Sequence, residues 1–107
     1  MVTMQQLQNG LGRFVDTELT ANMSGWVKPV AQTVAGLFIS ELPRTIEKHP
    51  IVQALSLVQD GMVDVDKAYT ELVKHVTAPV PVPIKGIGTM MITRENIDTL
   101  YRMILEG

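Results

Sequence analysis

Cysteine is absent from this sequence, and its absence removes several kinds of chemistry at once. A chain without thiols forms no disulfide, has no thiolate nucleophile and offers no cysteine ligands to zinc. A surplus of positive charge is also missing, since 9 Lys and Arg stand against 11 Asp and Glu and the formal net charge is -2. Because nucleic-acid binding needs clustered basic side chains, we expect no nucleic-acid partner.

Charged residues of either sign are scarce, and apolar residues take their place. Charged side chains make up 19% of the 107 residues and hydrophobic ones 46%, with a mean hydropathy of +0.17. A chain of this length is expected to form one domain, residues 1–107, around a single core. Because this composition is apolar for a small soluble protein, part of the apolar excess is expected in an interface. The first ten residues show no secretory signal, which predicts a cytoplasmic location.

The N-terminal segment predicts an amphipathic helix over residues 3–21. Thr3 and Gln6 have the spacing of a capping box, in which the Thr side chain and the third helical residue satisfy each other's backbone N–H groups. Gly10 and Gly12 interrupt the pattern; they indicate either close packing against another backbone or a weak point in the helix. The apolar face consists of Met4, Leu7, Leu11, Phe14, Val15 and Leu19.

A second helix is predicted over residues 29–42, where apolar positions occupy most of the helix circumference. Such a helix is typical of a core, with an interface between copies as the alternative. It is too short to span a membrane, and Lys28 and Gln32 weaken that interpretation further. Trp26 just before it is expected to pack against the core rather than anchor the chain at a membrane. Pro43 is expected to end the helix, and a short helical turn or loop is expected before Pro50.

Residues 50–78 mix helical and extended signals around a turn at Asp60–Gly61. The pattern before the turn is compatible with a helix or with one strand of a hairpin. We favour a helix from Pro50 to about Leu55, with a few extended residues on each side of the turn. An amphipathic helix is predicted from about Asp66. Its residues 66–73 resemble residues 98–105 in their Asp, Tyr and apolar positions, which suggests a repeated unit or a chance similarity between two amphipathic helices.

The segment PVPVPIKGIG, residues 79–88, sets three prolines on alternate positions. In a strand these prolines remove N–H donors along one edge only, so the other edge can still pair. We predict a hairpin with residues 89–92, closed by a glycine turn within 85–88; a polyproline II linker is the alternative. Thr93 is expected to cap a last helix that runs to the carboxyl end.

Candidate chemical sites are few. Residues 60–66 resemble half of an EF-hand loop, but Lys67 stands where the bidentate calcium ligand belongs, so we expect a turn followed by a helix cap instead. His49 and His75 lie on separate elements without a recognisable nucleophile or metal-ligand spacing near them. We therefore expect no catalytic, cofactor-binding or metal-binding residue, and no enzyme activity.

Several segments occur together over most of the chain: Arg13–Asp16, Gly25–Trp26 before residues 31–39, residues 60–69, and residues 83–88 followed by Ile97–Tyr101. In this combination the chain resembles small proteins carried by prophages and tailed phages of Gram-positive bacteria, a family without established catalytic residues. The resemblance implies a phage context, with the protein in the bacterial host cell or on the virion.

These observations together predict an α+β fold that is mostly helical: a helical half, residues 1–49, packed with a helix, a small antiparallel hairpin and a C-terminal helix in residues 50–107. The predicted function is a non-enzymatic protein-interaction module that self-associates, with use in phage particle assembly. The alternatives are a binder of one host protein, or a membrane or lysis accessory protein. The candidate interface residues are Val30, Val34, Leu37 and Phe38 of the second helix and Leu7, Leu11 and Phe14 of the first.

Overall fold

Helices dominate the computed structural model, which describes residues 1–21, 23, 25–84 and 88–107. A π-helical turn, Val15–Leu19, continues the first helix, and a 3₁₀ turn, Ile46–Lys48, follows the second. The α-helices are α1 (Met4–Phe14), α2 (Val27–Thr45), α3 (Pro50–Leu55), α4 (Val65–His75) and α5 (Arg94–Glu106). The fold is α+β and mostly helical, as the sequence predicts.

The first of two antiparallel sheets is small and has the strand order β1 (Val2–Thr3), β3 (Met62–Val63), β2 (Val58–Gln59). Asp60 and Gly61 join β2 to β3 with φ of 52° and 76°, the left-handed backbone that a two-residue hairpin turn requires. The predicted helix over Pro50–Leu55 and the extended residues around this turn are both confirmed.

The second sheet is a hairpin of β4 (Val80–Ile84) and β5 (Gly88–Ile92), with Val80 opposite Ile92 and Pro81 opposite Met91. The predicted pairing of the proline-containing segment is therefore confirmed. The predicted glycine turn lies largely outside the described residues, at 85–87. The α5 helix follows directly, and Thr93 forms a complete capping box with Asn96 at its start.

The α1 helix packs closely along α5, and Gln6 and Gly10 of α1 account for this contact. Thr3 caps α1 by accepting from the Gln6 N–H at 3.0 Å. The Gln6 side chain does not reach back to Thr3; its amide donates to the Ile104 carbonyl oxygen at 3.0 Å, near the end of α5. A Cβ at Gly10 would lie 2.5 Å from the Ile104 Cα, so only glycine permits this approach. Of the two alternatives for Gly10, close helix packing is confirmed.

The hydrophobic core lies where α1, α4 and α5 meet the three-stranded sheet. The α2 helix enters it through its C-terminal end only, at Leu42. The buried cluster consists of Val2, Leu7, Leu42, Val63, Val65 and Ile104.

The predicted helix over residues 3–21 is not a single α-helix, because it widens into a π-helical turn after Phe14. Thr20 ends that turn and is 1% exposed. Its N–H donates to the Val15 carbonyl five residues back, at 3.1 Å. Its hydroxyl lies 2.9 Å from the same oxygen and 3.1 Å from the Asp16 carbonyl oxygen. The hydroxyl has one proton, so it is shared between these two carbonyl groups, and the Val15 carbonyl also accepts from the Thr20 N–H.

The expectation that Pro43 ends the second helix is wrong, because α2 continues to Thr45. A proline inside a helix leaves the carbonyl four residues earlier without its donor, and here that carbonyl belongs to Ile39. The Gln8 side chain amide of α1 donates to the Ile39 carbonyl oxygen at 3.0 Å. A side chain from another helix thus replaces the hydrogen bond that Pro43 cannot make.

Candidate interaction surface

The expectation that α2 is a buried core helix is wrong for one of its faces. Ala31 and Leu42 are buried, whereas Leu37 and Phe38 are 65% and 68% exposed. The reason is geometric: α1 and the core cover one side of α2, and no described element covers the other. We call the exposed row the α2 stripe; it consists of Trp26, Val30, Val34, Leu37 and Phe38.

The spacing of the α2 stripe places its members on one side of the helix. Val30, Val34 and Phe38 follow each other at intervals of four residues, and Leu37 lies beside them. Trp26, at the N-cap, extends the row by one further interval and is 72% exposed, so the expectation that it packs against the core is wrong.

The stretch of α2 that carries the stripe has no charged residue from Pro29 to Ser40. Solvent-facing helix surfaces normally carry charges. Charge occurs only at the two ends of α2, at Lys28 in the first turn and at the C-terminal end, where the Arg44 guanidinium pairs with the Glu41 carboxylate at 2.5 Å. A continuous uncharged apolar row of this kind is characteristic of a surface that meets another molecule.

An apolar groove of about 560 Å³ runs beside the stripe, between α2, the π-helical turn and β4. Phe38 and Val34 belong to both the groove and the stripe. Thr20 is a polar residue in its wall, and its hydroxyl is already hydrogen-bonded within the chain. The described walls of the groove therefore enlarge the apolar surface beside the stripe. Its remaining apolar lining is Leu11, Phe14, Val15, Leu19, Met23, Ala31, Ala35, Ile39, Val82, Pro83 and Leu100.

The candidate interface residues of α1 lie elsewhere. Leu7 and Phe14 are 7% and 5% exposed, because α1 turns this face toward the chain's own core. Leu11 is half-buried and lines the groove. The structure therefore brings Val30, Val34, Leu37 and Phe38 together on one surface, with Leu11 and Phe14 in the groove beside it and Leu7 in the core.

Residues 60–66 form the turn and helix cap that the sequence predicts. The Asp64 carboxylate accepts from the Lys67 N–H at 3.0 Å and caps α4. Within the described part of the chain, no three His, Asp or Glu side chains are grouped as metal ligands. His49 accepts from the Ile51 N–H through Nδ1 at 3.2 Å and caps α3, whereas His75 is the last residue of α4.

A polar cluster joins α4 to α5. The Tyr69 hydroxyl donates to Asp98 Oδ1 at 2.5 Å, the Tyr101 hydroxyl donates to Asp66, and the two rings stack with centroids 4.4 Å apart. The hydrogen bond from Tyr69, supported by the Arg94 guanidinium, lowers the pKa of Asp98. The hydrogen bond to Asp66 raises the pKa of Tyr101. Tyr69 and Tyr101 also line a small cavity of about 190 Å³ whose other described walls are apolar, and the hydrogen bonds and the ring stacking of the cluster hold α4 against α5.

No described helix combines the length and the hydropathy that a membrane span requires. Comparison with protein families, with curated proteins and with solved structures finds no match to this chain.

Proposed function

We propose that this protein is a non-enzymatic interaction module that associates with a second copy of itself through the α2 stripe. The observation that carries the proposal is the exposure of four large apolar side chains and a tryptophan along a helix face without charge. Burial of apolar area is the main driving force of protein association. Large aromatic side chains such as Trp26 and Phe38 are the residue types enriched at binding hot spots.

A second copy suits the stripe because three of its members, Val30, Val34 and Phe38, are evenly spaced with Val34 at the centre. Val30 and Phe38 stand four residues to either side of it, so two α2 helices packed antiparallel around a two-fold axis place Val30 against Phe38 and Val34 against Val34. Large side chains then meet small ones. The same arrangement brings Trp26 to the Arg44 end of the other helix, where a guanidinium can stack on an indole ring.

The phage context implied by the family resemblance suggests a use for such a module. Phage particles are built from many copies of few proteins, and a small self-associating protein fits their assembly in the host cell or on the virion. The lack of a surplus of positive charge supports a protein partner over nucleic acid.

A cross-linking experiment tests the two-fold arrangement directly. Because the chain contains no cysteine, Val34→Cys is a single-cysteine variant, and its thiols should meet across the axis. We expect a short bifunctional maleimide to cross-link Val34→Cys efficiently at low protein concentration. The matched control is Gly36→Cys, two residues along the same helix, which a turn of about 100° per residue places on the side away from Val34 and where an added Cβ meets nothing within 4 Å. Equal cross-linking of the two variants would contradict the proposed geometry.

A charge variant tests the stripe as a whole. Leu37 is exposed and does not line the groove, so Leu37→Asp should fold normally while placing a charge in the contact. Burying an unpaired carboxylate is unfavourable by several kcal/mol. We expect light scattering across a concentration series to show a lower mass for Leu37→Asp than for the unaltered chain. Leu105→Asp, the same change at an exposed position of α5, should leave the mass unchanged.

The same light-scattering measurement distinguishes self-association from the alternative function, binding of one host protein. A chain that stays monomeric at every concentration would favour binding of one host protein through the stripe, and a pull-down from host lysate with and without Leu37→Asp would then identify it.

A further inference from the structure

The hairpin of β4 and β5 leaves one sheet edge that can pair and one that cannot. Opposite residues in an antiparallel ladder alternate between pairs that exchange two hydrogen bonds and pairs that exchange none. Pro81 and Pro83 have no N–H, so their pairs with Met91 and Thr89 must be the non-bonded ones. The N–H and C=O groups of Thr89 and Met91 therefore face away from β4. Among the described residues, no strand pairs with that outer edge.

The two edges of the hairpin are protected very differently. Proteins usually guard exposed strand edges with proline, with charged side chains or with a covering element. The outer edge of β4 has Pro81 and Pro83, preceded by Pro79. The β5 strand, GTMMI, has neither proline nor charge. The two strands of this hairpin, β4 and β5, contact chiefly each other rather than the helices.

We propose that the outer edge of β5 pairs antiparallel with β5 of a second copy of this chain. This contact goes beyond the proposed function because it uses a different element from the α2 stripe. Centring the two-fold axis at position 90 places Thr89 opposite Met91 of the second copy and Met91 opposite its Thr89. Both are then pairs that exchange two hydrogen bonds, and every outward N–H and C=O of Thr89 and Met91 is satisfied.

A second copy fits this edge better than an unrelated strand does. The joined sheet has the order β4, β5, β5, β4, so both of its outer edges are the proline edges and no further strand can add. A foreign strand would leave its own outer edge open. The prolines thus end the sheet after one pairing event, so the β5 contact by itself joins two copies and no more. A five-residue edge is smaller than stable interfaces require, so this contact is weak and depends on concentration.

Amide hydrogen exchange followed by NMR tests the inference without altering the chain. In one copy the N–H groups of Thr89 and Met91 point away from β4 and pair with no strand of the described residues, whereas the Val82 N–H faces β5. We expect protection of Thr89 and Met91 to rise at least tenfold from dilute to concentrated protein, with Val82 protected throughout. Protection of Thr89 and Met91 that does not change with concentration would overturn the inference.

Substitutions separate this contact from the α2 contact. In the Leu37→Asp background, we expect a residual dimer at high concentration that Met91→Pro abolishes and Met91→Ala retains, since alanine keeps the N–H. If Leu37→Asp is already monomeric at high concentration, the β5 inference fails and the α2 proposal stands. A residual dimer that survives Met91→Pro also refutes the β5 contact. If the unaltered chain is monomeric at high concentration, the β5 contact and the α2 contact are both refuted.

Discussion

The two glycines of α1 allow the packing of α1 on α5 to be tested by one substitution made twice. Gly10→Ala and Gly12→Ala change the same atom in the same helix, two residues apart. At Gly10 the added Cβ would lie 2.5 Å from Ile104 Cα and 2.8 Å from Ile104 N. At Gly12 it would meet nothing within 4 Å. Backbone atoms cannot rotate away as the end of a side chain can, so at Gly10 one helix must move.

The expected free-energy changes have opposite signs. Replacing a helical glycine by alanine stabilises the helix by about 0.5–1 kcal/mol, and Gly12→Ala should gain this in full. At Gly10 the same gain is opposed by overpacking, which costs about 1–3 kcal/mol, and the backbone clash places it at the upper end. We therefore expect Gly10→Ala to be destabilised by about 2 kcal/mol and to differ from Gly12→Ala by about 3 kcal/mol.

Urea unfolding followed by circular dichroism measures this difference. For a domain of this size, about 3 kcal/mol corresponds to a difference of more than 10 °C in the melting temperature. Because helix propensity is nearly the same in both variants, the difference between them isolates the clash with Ile104. Equal stabilities for the two variants would refute the close approach of α1 to α5.

Two further predictions follow from hydrogen bonds between elements. Gln8→Ala should lower the free energy of unfolding by about 1–3 kcal/mol, because the Ile39 carbonyl loses its donor. Pro43→Ala restores the backbone N–H, so a double-mutant cycle in urea should show Gln8→Ala costing much less in that background. The pKa of Asp98 is lowered, so Asp98 contributes to stability at neutral pH, and this contribution is lost as pH falls through that pKa. The pKa of Tyr101 is raised, so the contribution of Tyr101 to stability is lost as pH rises through that pKa. Asp98→Asn should flatten only the acid side of the urea midpoint plotted against pH, and Tyr101→Phe only the alkaline side.

The features predicted correctly from the sequence are those decided by neighbouring residues. Thr93 caps α5, Pro50 begins α3, and the Asp60–Gly61 turn separates two extended segments, since cap and turn chemistry acts over two to four residues. The alternation of prolines likewise determines which edge of β4 can pair, whatever lies elsewhere in the chain.

The features missed are those decided by residues far apart. A helix with apolar residues on most of its circumference has the same pattern whether a core or a second molecule covers it, so the exposure of Leu37 and Phe38 could not be derived from α2 alone. The continuation of α2 through Pro43 depends on Gln8, which lies 31 residues before the carbonyl it satisfies. No local signal marks that bond.

The similarity between residues 66–73 and 98–105 has a structural counterpart. Each segment follows a β-hairpin, β2–β3 before α4 and β4–β5 before α5, so a hairpin-helix unit occurs twice in the described fold. In each helix an Asp precedes a Tyr by three residues, which places both side chains on one face. The two helices then exchange partners: Tyr69 donates to Asp98, and Tyr101 donates to Asp66. A reciprocal exchange of this kind is what two similar helices make when they pack around an approximate two-fold axis.

The two units differ where α1 approaches. Gly10 brings α1 onto α5, and Ile97 and Ile104 of α5 are buried, whereas in α4 only Val65, at its first turn, is buried. Leu72, which corresponds to Ile104 in the repeat, is exposed. The shared Asp and Tyr positions therefore hold the two units together, and the difference in their apolar faces follows from α1 covering only one of them.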